Sequence, residues 1–359
     1  MRLAQAPAAT IDWQRSLEII SRFWAWLFLL VLIIFFSLTG PGFLSFYNLQ
    51  AVVSDMAIML LMALGQTFVI IAAGIDLSTG FVMGLSAVTA AQVMTMLNGR
   101  VPFLLLLLIS ILVALIVGTL PGVLNGIVIA RLKVPPFIMT LGMYGIARGA
   151  GFLFSGGQPV SVQVNGVGNI GNSYLFYYHP AVGFSFLQPP VLPVTARARD
   201  LVSILPFQLA IGVIAVLICI WLLSRTKFGK HAYALGGGPE AARRAGIPVT
   251  RQLIKIYALS ALLTSIAGIL YVLRFTNGAA DAGDALMLDS IAAVVIGGAS
   301  LFGGEGTMIG TLIGTLIIAI IQNGLVIIGT NQYWQFIAVG VVIILAVLVD
   351  QAKARVMQQ

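Results

Sequence analysis

Charged side chains are scarce in this chain: they make up 8% of its 359 residues, against about 25% in an average soluble domain. So little charge cannot cover a water-facing surface, which excludes a soluble globular protein. Cysteine is nearly absent. The single Cys219 falls in an apolar run, which excludes an intrachain disulfide and a thiolate metal cluster. The only histidines, His179 and His231, stand far apart, so neither a metal site nor a nucleophile–base constellation is legible. The phosphate-cradling Gly-Lys-Ser/Thr loop of an ATPase is also missing. Gly229-Lys230 runs into His231, and the Gly-rich stretch from Leu301 to Gly306 has no lysine; a tight turn between helices is the reading there.

What is present is apolar length. Hydrophobic residues make up 60% of the chain and the mean hydropathy is +1.05, so the solvent is a bilayer. The expected fold class is all-α, a polytopic membrane protein. A hydrocarbon core of ~30 Å takes roughly 20 helical residues. On that basis about ten transmembrane helices fall near 23–39, 52–74, 79–97, 103–130, 135–154, 204–223, 253–274, 287–300, 306–328 and 334–349. The eighth is short enough to be re-entrant. The fourth contains Pro121-Gly122 and is expected to kink or break. Phe23 to Leu38 is followed by no small-residue cleavage site and reads as a retained first span. Residues 1–22 and 351–359 are then tails around a transmembrane domain over 23–350.

The net charge of +8 does not point to nucleic acid, because the basic residues sit in the joints between apolar runs. With ten spans and both termini cytoplasmic, all 19 Lys and Arg but Arg100, Arg148, Arg197, Arg199 and Arg274 fall on inner segments, as the inside-positive bias requires. The longest outer segment, 155–203, contains Gln188-Pro189-Pro190 and Leu192-Pro193, which discourage regular structure. It reads as a solvated connector or as a docking surface for an extracytoplasmic partner. Asp55 and Arg148 lie near outer helix ends and are placed to pair; snorkelling is the other reading of Arg148.

Gly118-Thr119-Leu120-Pro121-Gly122 with Asn125-Gly126 echoes Gly310-Thr311-Leu312-Ile313-Gly314 with Asn323-Gly324, and Asp76-Leu77-Ser78 and Asp289-Ser290 precede the two copies. In this topology the copies run in opposite directions. That is the pattern of an inverted internal repeat, or of chance matching between Gly-rich apolar helices. Gly74, Gly80 and Gly84, and Gly310 and Gly314, suit close helix contact.

Two groups of residues carry candidate function. The first is the elbow 225–251, the one long, strongly charged segment, with Arg225, Lys227, Lys230, Arg243, Arg244 and Arg251 against Glu240. Within it Pro239 to Ala245 has helical composition, with Gly236 to Gly238 ahead and Gly246 behind, so a short capped helix is expected. Held between two spanning helices at the inner surface, it is suited to pushing on a partner protein. The second group is the polar residues of the spans. Asp76 with Ser78, and Asp289, are costly in lipid and read either as functional groups or as caps of the third and eighth spans. Asn125, Thr140, Gln322 and Asn323 are neutral donors and acceptors suited to a solute's hydroxyls.

Several blocks occur together in order: Gly65-Gln66-Thr67-Phe68-Val69-Ile70 through Gly74-Ile75-Asp76-Leu77-Ser78, then Val134 to Met143, Thr226-Lys227-Phe228-Gly229-Lys230 with Ala234-Leu235-Gly236-Gly237, and Leu288 to Gly298. From about residue 40 to 350 the sequence resembles the ribose/galactose/xylose-type permease subunits of bacterial ATP-binding-cassette (ABC) importers. The resemblance implies a permease of the bacterial inner membrane, paired with a second copy or a paralogue. It also implies a cytoplasmic ATPase subunit that binds the ATP and Mg, so that this chain holds no cofactor, and a periplasmic sugar-binding protein. It places the coupling helix at Gly236, Gly237, Glu240, Ala241, Ala242, Arg243, Arg244 and Gly246. Beyond Ile256 the wider coupling motif is not kept, since Tyr257-Ala258 stands where a Leu-Pro pair belongs. The alternative function is a secondary transporter of a small polar solute, which would need midplane acids that change protonation.

Overall fold

The computed structural model describes residues 13–193, 197, 200–331 and 333–357. The amino-terminal tail expected over 1–22 and the carboxy-terminal tail over 351–359 fall partly outside these residues. The described parts of both continue long helices, α1 (Trp13–Thr39) and α13 (Tyr333–Met357). Between them lie α2 (Phe46–Ile71), α3 (Thr79–Leu97), α4 (Phe103–Leu132), α5 (Pro136–Ser155), the short α6 (Val167–Gly171), α7 (Phe207–Arg225), α8 (Lys227–Gly237), α9 (Pro239–Arg244), α10 (Val249–Phe275), α11 (Asp284–Ile296) and α12 (Met308–Ile327).

Among the described residues, seven helices are long and apolar enough to cross a bilayer: α2, α3, α4, α5, α7, α10 and α12. The chain is therefore a multi-pass membrane protein. α1 and α13 contain shorter apolar stretches, Trp24–Thr39 and Tyr333–Leu345. The eighth expected span is corrected: α11 has 13 residues, roughly 20 Å at 1.5 Å per residue, well short of ~30 Å. It also begins earlier than expected, at Asp284, which leaves Asp289 in mid-helix.

α4 runs unbroken through Pro121-Gly122, although proline removes a backbone donor. Packing holds it. A Cβ added at Gly118, Gly122 or Gly126 would collide with Ser265, Tyr257 or Ile254 of α10, so glycines four apart let the two backbones close on each other. α3 and α12 use the same device. Gly80 and Gly84 seat the loop 279–283, and Gly310 and Gly314 seat the end of α11 and Gly297.

The described chain is mostly helical, as expected, but the outer segment expected to be irregular carries strands. Strands β1 (Val160–Ser161) and β5 (Asn277–Gly278) pair antiparallel, and β2 (Tyr174–His179), β3 (Gly183–Phe186) and β4 (Val202–Pro206) form a sheet in the order β3-β2-β4. The run Tyr174-Leu175-Phe176-Tyr177-Tyr178-His179 is rich in residues that favour strands, and the hairpin turns at Gly183, where φ is +86°. The Pro-rich stretch after β3 stays irregular, as its composition predicts.

α2 is the buried axis. It packs on α10, α11 and α12, while α10 packs on α2, α3 and α4. α3 meets α4 and α5 as α11 meets α12 and α13, and α4 meets α5 as α12 meets α13. Exchanging α2–α5 for α10–α13 thus reproduces each of these pairings. α2 starts beside the sheet, where the Gln50 amide donates to the Ser203 carbonyl. It ends beside α8, where Gly304 N–H donates to the Ile71 carbonyl at 2.9 Å and Gly236 packs on both. α10 runs the other way, from α9 to Arg274, whose carbonyl accepts from Asn172 at 3.0 Å. The sheet and the α8–α9 elbow therefore mark opposite faces of the bundle.

Candidate functional site

The elbow holds two helices where the sequence suggested one. α8 is the addition, concealed by glycines at 229, 236 and 237 that ordinarily argue against a helix. Here they serve close approach: a Cβ on Gly229 would collide with the Leu223 carbonyl, and one on Gly236 with the Ile71 carbonyl. Tyr233 fixes α8 to the 297–307 turn by donating to the Gly306 carbonyl at 2.6 Å. Burial pushes its phenol above the usual tyrosine range. Gly237 ends α8, and Pro239 opens α9 at its first position, where a missing N–H costs nothing. On α9 only Ala242 is buried; Glu240, Ala241, Arg243 and Arg244 are exposed, as is Gly246 with φ of +80°. Arg243 meets Glu240 at 2.8 Å, both side chains largely in the open. α9 therefore offers a free, mostly basic ridge.

The polar residues predicted for the spans divide into two groups. Asp76, Ser78, Asn125 and Thr140 come together at the α2–α3 break, and all four are buried. The Asp76 carboxylate accepts from Ser78 N–H at 3.0 Å and from Ser78 Oγ–H at 2.6 Å. The Asn125 amide donates to Ser78 Oγ at 3.0 Å, and Thr140 Oγ–H to the Ile75 carbonyl at 3.1 Å. The Gln66 amide closes the turn on the Asp76 carbonyl. Asp76 thus shapes the turn before α3. Around it lie the buried Ser260 and polar atoms without a protein hydrogen bond, among them Gln66 Oε1, Asn125 Oδ1 and Tyr257 OH. Sequence reading missed Gln66, Tyr257 and Ser260, which look like ordinary residues of apolar helices until packing assembles them.

Because Ser78 Oγ both donates to Asp76 and accepts from Asn125, its loss leaves the buried Asn125 amide without that acceptor and removes one of the donors to Asp76. Ser78→Ala is expected to cost about 1–3 kcal/mol of stability. Denaturant unfolding in detergent measures it. Thr39→Ala, which deletes an exposed hydroxyl bonded within its own helix at 2.8 Å, is expected to stay within about 0.5 kcal/mol. Equal effects in the two variants would show that the cluster carries no special weight.

Asp289, Gln322 and Asn323 form the second group, away from Asp76. Gln322 donates to Asp289 at 2.8 Å, and Asn323 exchanges hydrogen bonds of 3.0 Å with Asn48 across the α2–α12 contact. Capping by Asp289 is thereby overturned: Asp284 occupies the first turn of α11. Gln322 and Asn323 line a cavity of about 480 Å³ with Asp55, Tyr271, Phe275 and Gln335. A second of about 220 Å³ shares Gln322 and Gln335 and reaches Asp289. The larger falls within the roughly 300–1,000 Å³ of small-molecule sites. The pairing of Asp55 with Arg148 is corrected too: Asp55 pairs with Arg274, and Arg148 lies 5.4 Å from the Phe81 ring centre. Nothing in the local sequence places residues 55 and 274 together.

Spanning helices, a largely uncharged polar interior and a basic helix at one surface define a membrane transport component. Over residues 48–347 the chain matches, and belongs to, the family described as branched-chain amino acid transport system / permease component. It is 37% identical over 326 residues to the ribose import permease protein RbsC of Bacillus subtilis, covering 91% of each chain. It is 36% identical over 324 residues to the fructose import permease protein FrcC of Rhizobium meliloti, covering 90% of this chain and 82% of that one. To the galactose/methyl galactoside import permease protein MglC of Escherichia coli it is 35% identical over 338 residues, covering 90% of this chain and 92% of that one. No solved structure matches.

Proposed function

We propose that this chain is the membrane-spanning permease subunit of an ABC importer for a monosaccharide. A periplasmic protein delivers the sugar, and a separate ATPase subunit, which binds ATP and Mg, drives its passage. The observation that carries the reading is α9: a short exposed basic helix packed on α8 and α10, with α8 in turn held to α2 and the 297–307 turn. Force applied to it reaches the α2–α3 break through Gly236 and Ile71. Gly236, Gly237, Glu240, Ala241, Ala242, Arg243, Arg244 and Gly246 would form the coupling surface. The basic residues there support a cytoplasmic location for the α8–α9 face of a bacterial inner-membrane protein. The matched pairings of α2–α5 and α10–α13, with α2 and α10 running oppositely, support an inverted repeat. With α1, α13 and the short α11 added to the seven long spans, ten segments would keep both termini on the α9 face.

Sugar is favoured over an amino acid by the named relatives and by the path itself. Gln322, Asn323 and Gln335 offer neutral donors and acceptors suited to a sugar's hydroxyls, beside the Asp55 and Asp289 carboxylates. Asp76, Ser78, Asn125 and Thr140 would tune the hinge of the path, while Asp289, Gln322 and Asn323 would touch the solute. A second permease, either a copy or a paralogue, is supported by α5, where Gly142, Gly145 and Gly149 face open space.

The test is uptake into proteoliposomes holding the chain with its ATPase and binding protein, against ribose, fructose and galactose. ATP-dependent accumulation of one sugar is expected. Transport that continues without ATP and stops when the proton gradient is dissipated would establish the ion-driven alternative instead.

A further inference from the structure

The hairpin sheet presents one uncharged, largely aromatic face. Its register pairs Phe176 with Phe186 and with Ile204, and Tyr178 with Phe184 and with Val202. Side chains alternate along a strand, so these six residues share a side. The rings pack in rows, Phe176–Phe186 at 5.3 Å and Tyr178–Phe184 at 4.8 Å. Phe184 is 75% exposed and Phe186 60%. The opposite side is turned inward: Tyr177 and His179 are buried. The Tyr177 hydroxyl accepts from Tyr174 N–H, and His179 accepts from Ala181 N–H and donates to the Arg197 carbonyl, each at 3.1 Å. These bonds stiffen the hairpin and keep the aromatic side outward.

We propose that this face lies in the lipid interface of the leaflet opposite α9, as an aromatic foot of the permease rather than a platform for a soluble partner. Three observations support the assignment. Strands β2 and β3 and the segment from Gly149 to Ala196 have no Asp, Glu, Lys or Arg, charge returning at Arg197, Arg199 and Asp200 before β4, whereas protein interfaces carry a polar rim around their core. β4 passes directly into α7, whose exposed Val213, Ile214, Leu217 and Ile218 continue the apolar surface into the membrane. Exposed Phe46 and Tyr47 lie where α2 enters, and Tyr47 shares a small cavity with Tyr174. Aromatic rings concentrate at this level of a bilayer. A binding protein that comes and goes would leave three exposed phenylalanines in water for part of each cycle; a bilayer covers them throughout. The inference rests on the membrane-spanning reading and is independent of the transported solute.

The lone cysteine makes the test direct. In full-length C219A protein in liposomes, nitroxides are placed by Phe184→Cys or Phe186→Cys, with Leu217→Cys and Ala241→Cys as lipid and water references. Relaxation by oxygen and by a soluble nickel chelate is then compared. Labels at 184 and 186 are expected to favour oxygen, on the side of the Leu217 label, with a ratio at least several-fold above that of the Ala241 label. Nickel-dominated relaxation at both positions would overturn the proposal. So would nickel access that disappears only on adding the periplasmic binding protein, which would give the face to that partner. Sugar uptake is scored separately, so loss of either reading leaves the other standing.

Discussion

Gly84→Val is expected to eliminate the folded permease from the membrane. Gly84 lies on the face of α3 that receives the loop 279–283, and a Cβ there would overlap the Ala280 carbonyl oxygen, a backbone atom with no rotamer to change. The loop cannot retreat. Gly278 is tied to Val160 in the β1–β5 pair, and Asp284 begins α11 and accepts from Tyr144 at 3.2 Å. Overpacking a core by a few methyl groups costs about 1–3 kcal/mol when side chains can yield, and a forced backbone shift costs more. Total stability is of order 5–15 kcal/mol. The readout is the monodisperse peak in detergent size-exclusion chromatography. Gly340→Val is the control, since a Cβ at Gly340 meets nothing within 4 Å. A Gly84→Val protein that elutes with wild-type yield would show the loop to be far more yielding than the packing implies.

Reversing the basic ridge of α9, with Arg243→Glu and Arg244→Glu together, is expected to abolish ATP-driven uptake, more than tenfold, with the permease still folded in the membrane. Both side chains are exposed. The pair lost, Arg243 with Glu240, is a surface ion pair between side chains that are 55% and 74% exposed, and such pairs contribute little to stability. An effect on uptake must therefore come from the partner that α9 meets. Uptake and stimulated ATPase activity in proteoliposomes, with size-exclusion as the folding control, separate the two. Undiminished uptake in this variant would remove α9 from the coupling role.

Much of this was legible beforehand, and the exceptions share a cause. Hydropathy located the seven helices long and apolar enough to cross, because each helix must satisfy lipid along its own length. The glycines read as packing devices at Gly80, Gly84, Gly310 and Gly314 do seat neighbouring backbones. Composition misjudged α8, whose glycines answer to Leu223 and Ile71 rather than to helix propensity. It misjudged Asp289, because helix starts are read to within a few residues and Asp284 stands close by. It passed over the aromatic hairpin, where cross-strand pairing outweighed the flanking prolines.

The sequence by itself determined the solvent, the basic elbow, the want of a nucleotide loop and the family, because these are properties of single segments. Only the tertiary structure decided that Asn125 meets Ser78, that Asn48 meets Asn323, that Asp55 meets Arg274, and that Asp76 and Asp289 lie in different clusters. Those outcomes depend on how closely α4 approaches α10 and α12 approaches α2. That distance is set by side chains on two helices at once, which no single stretch of sequence records.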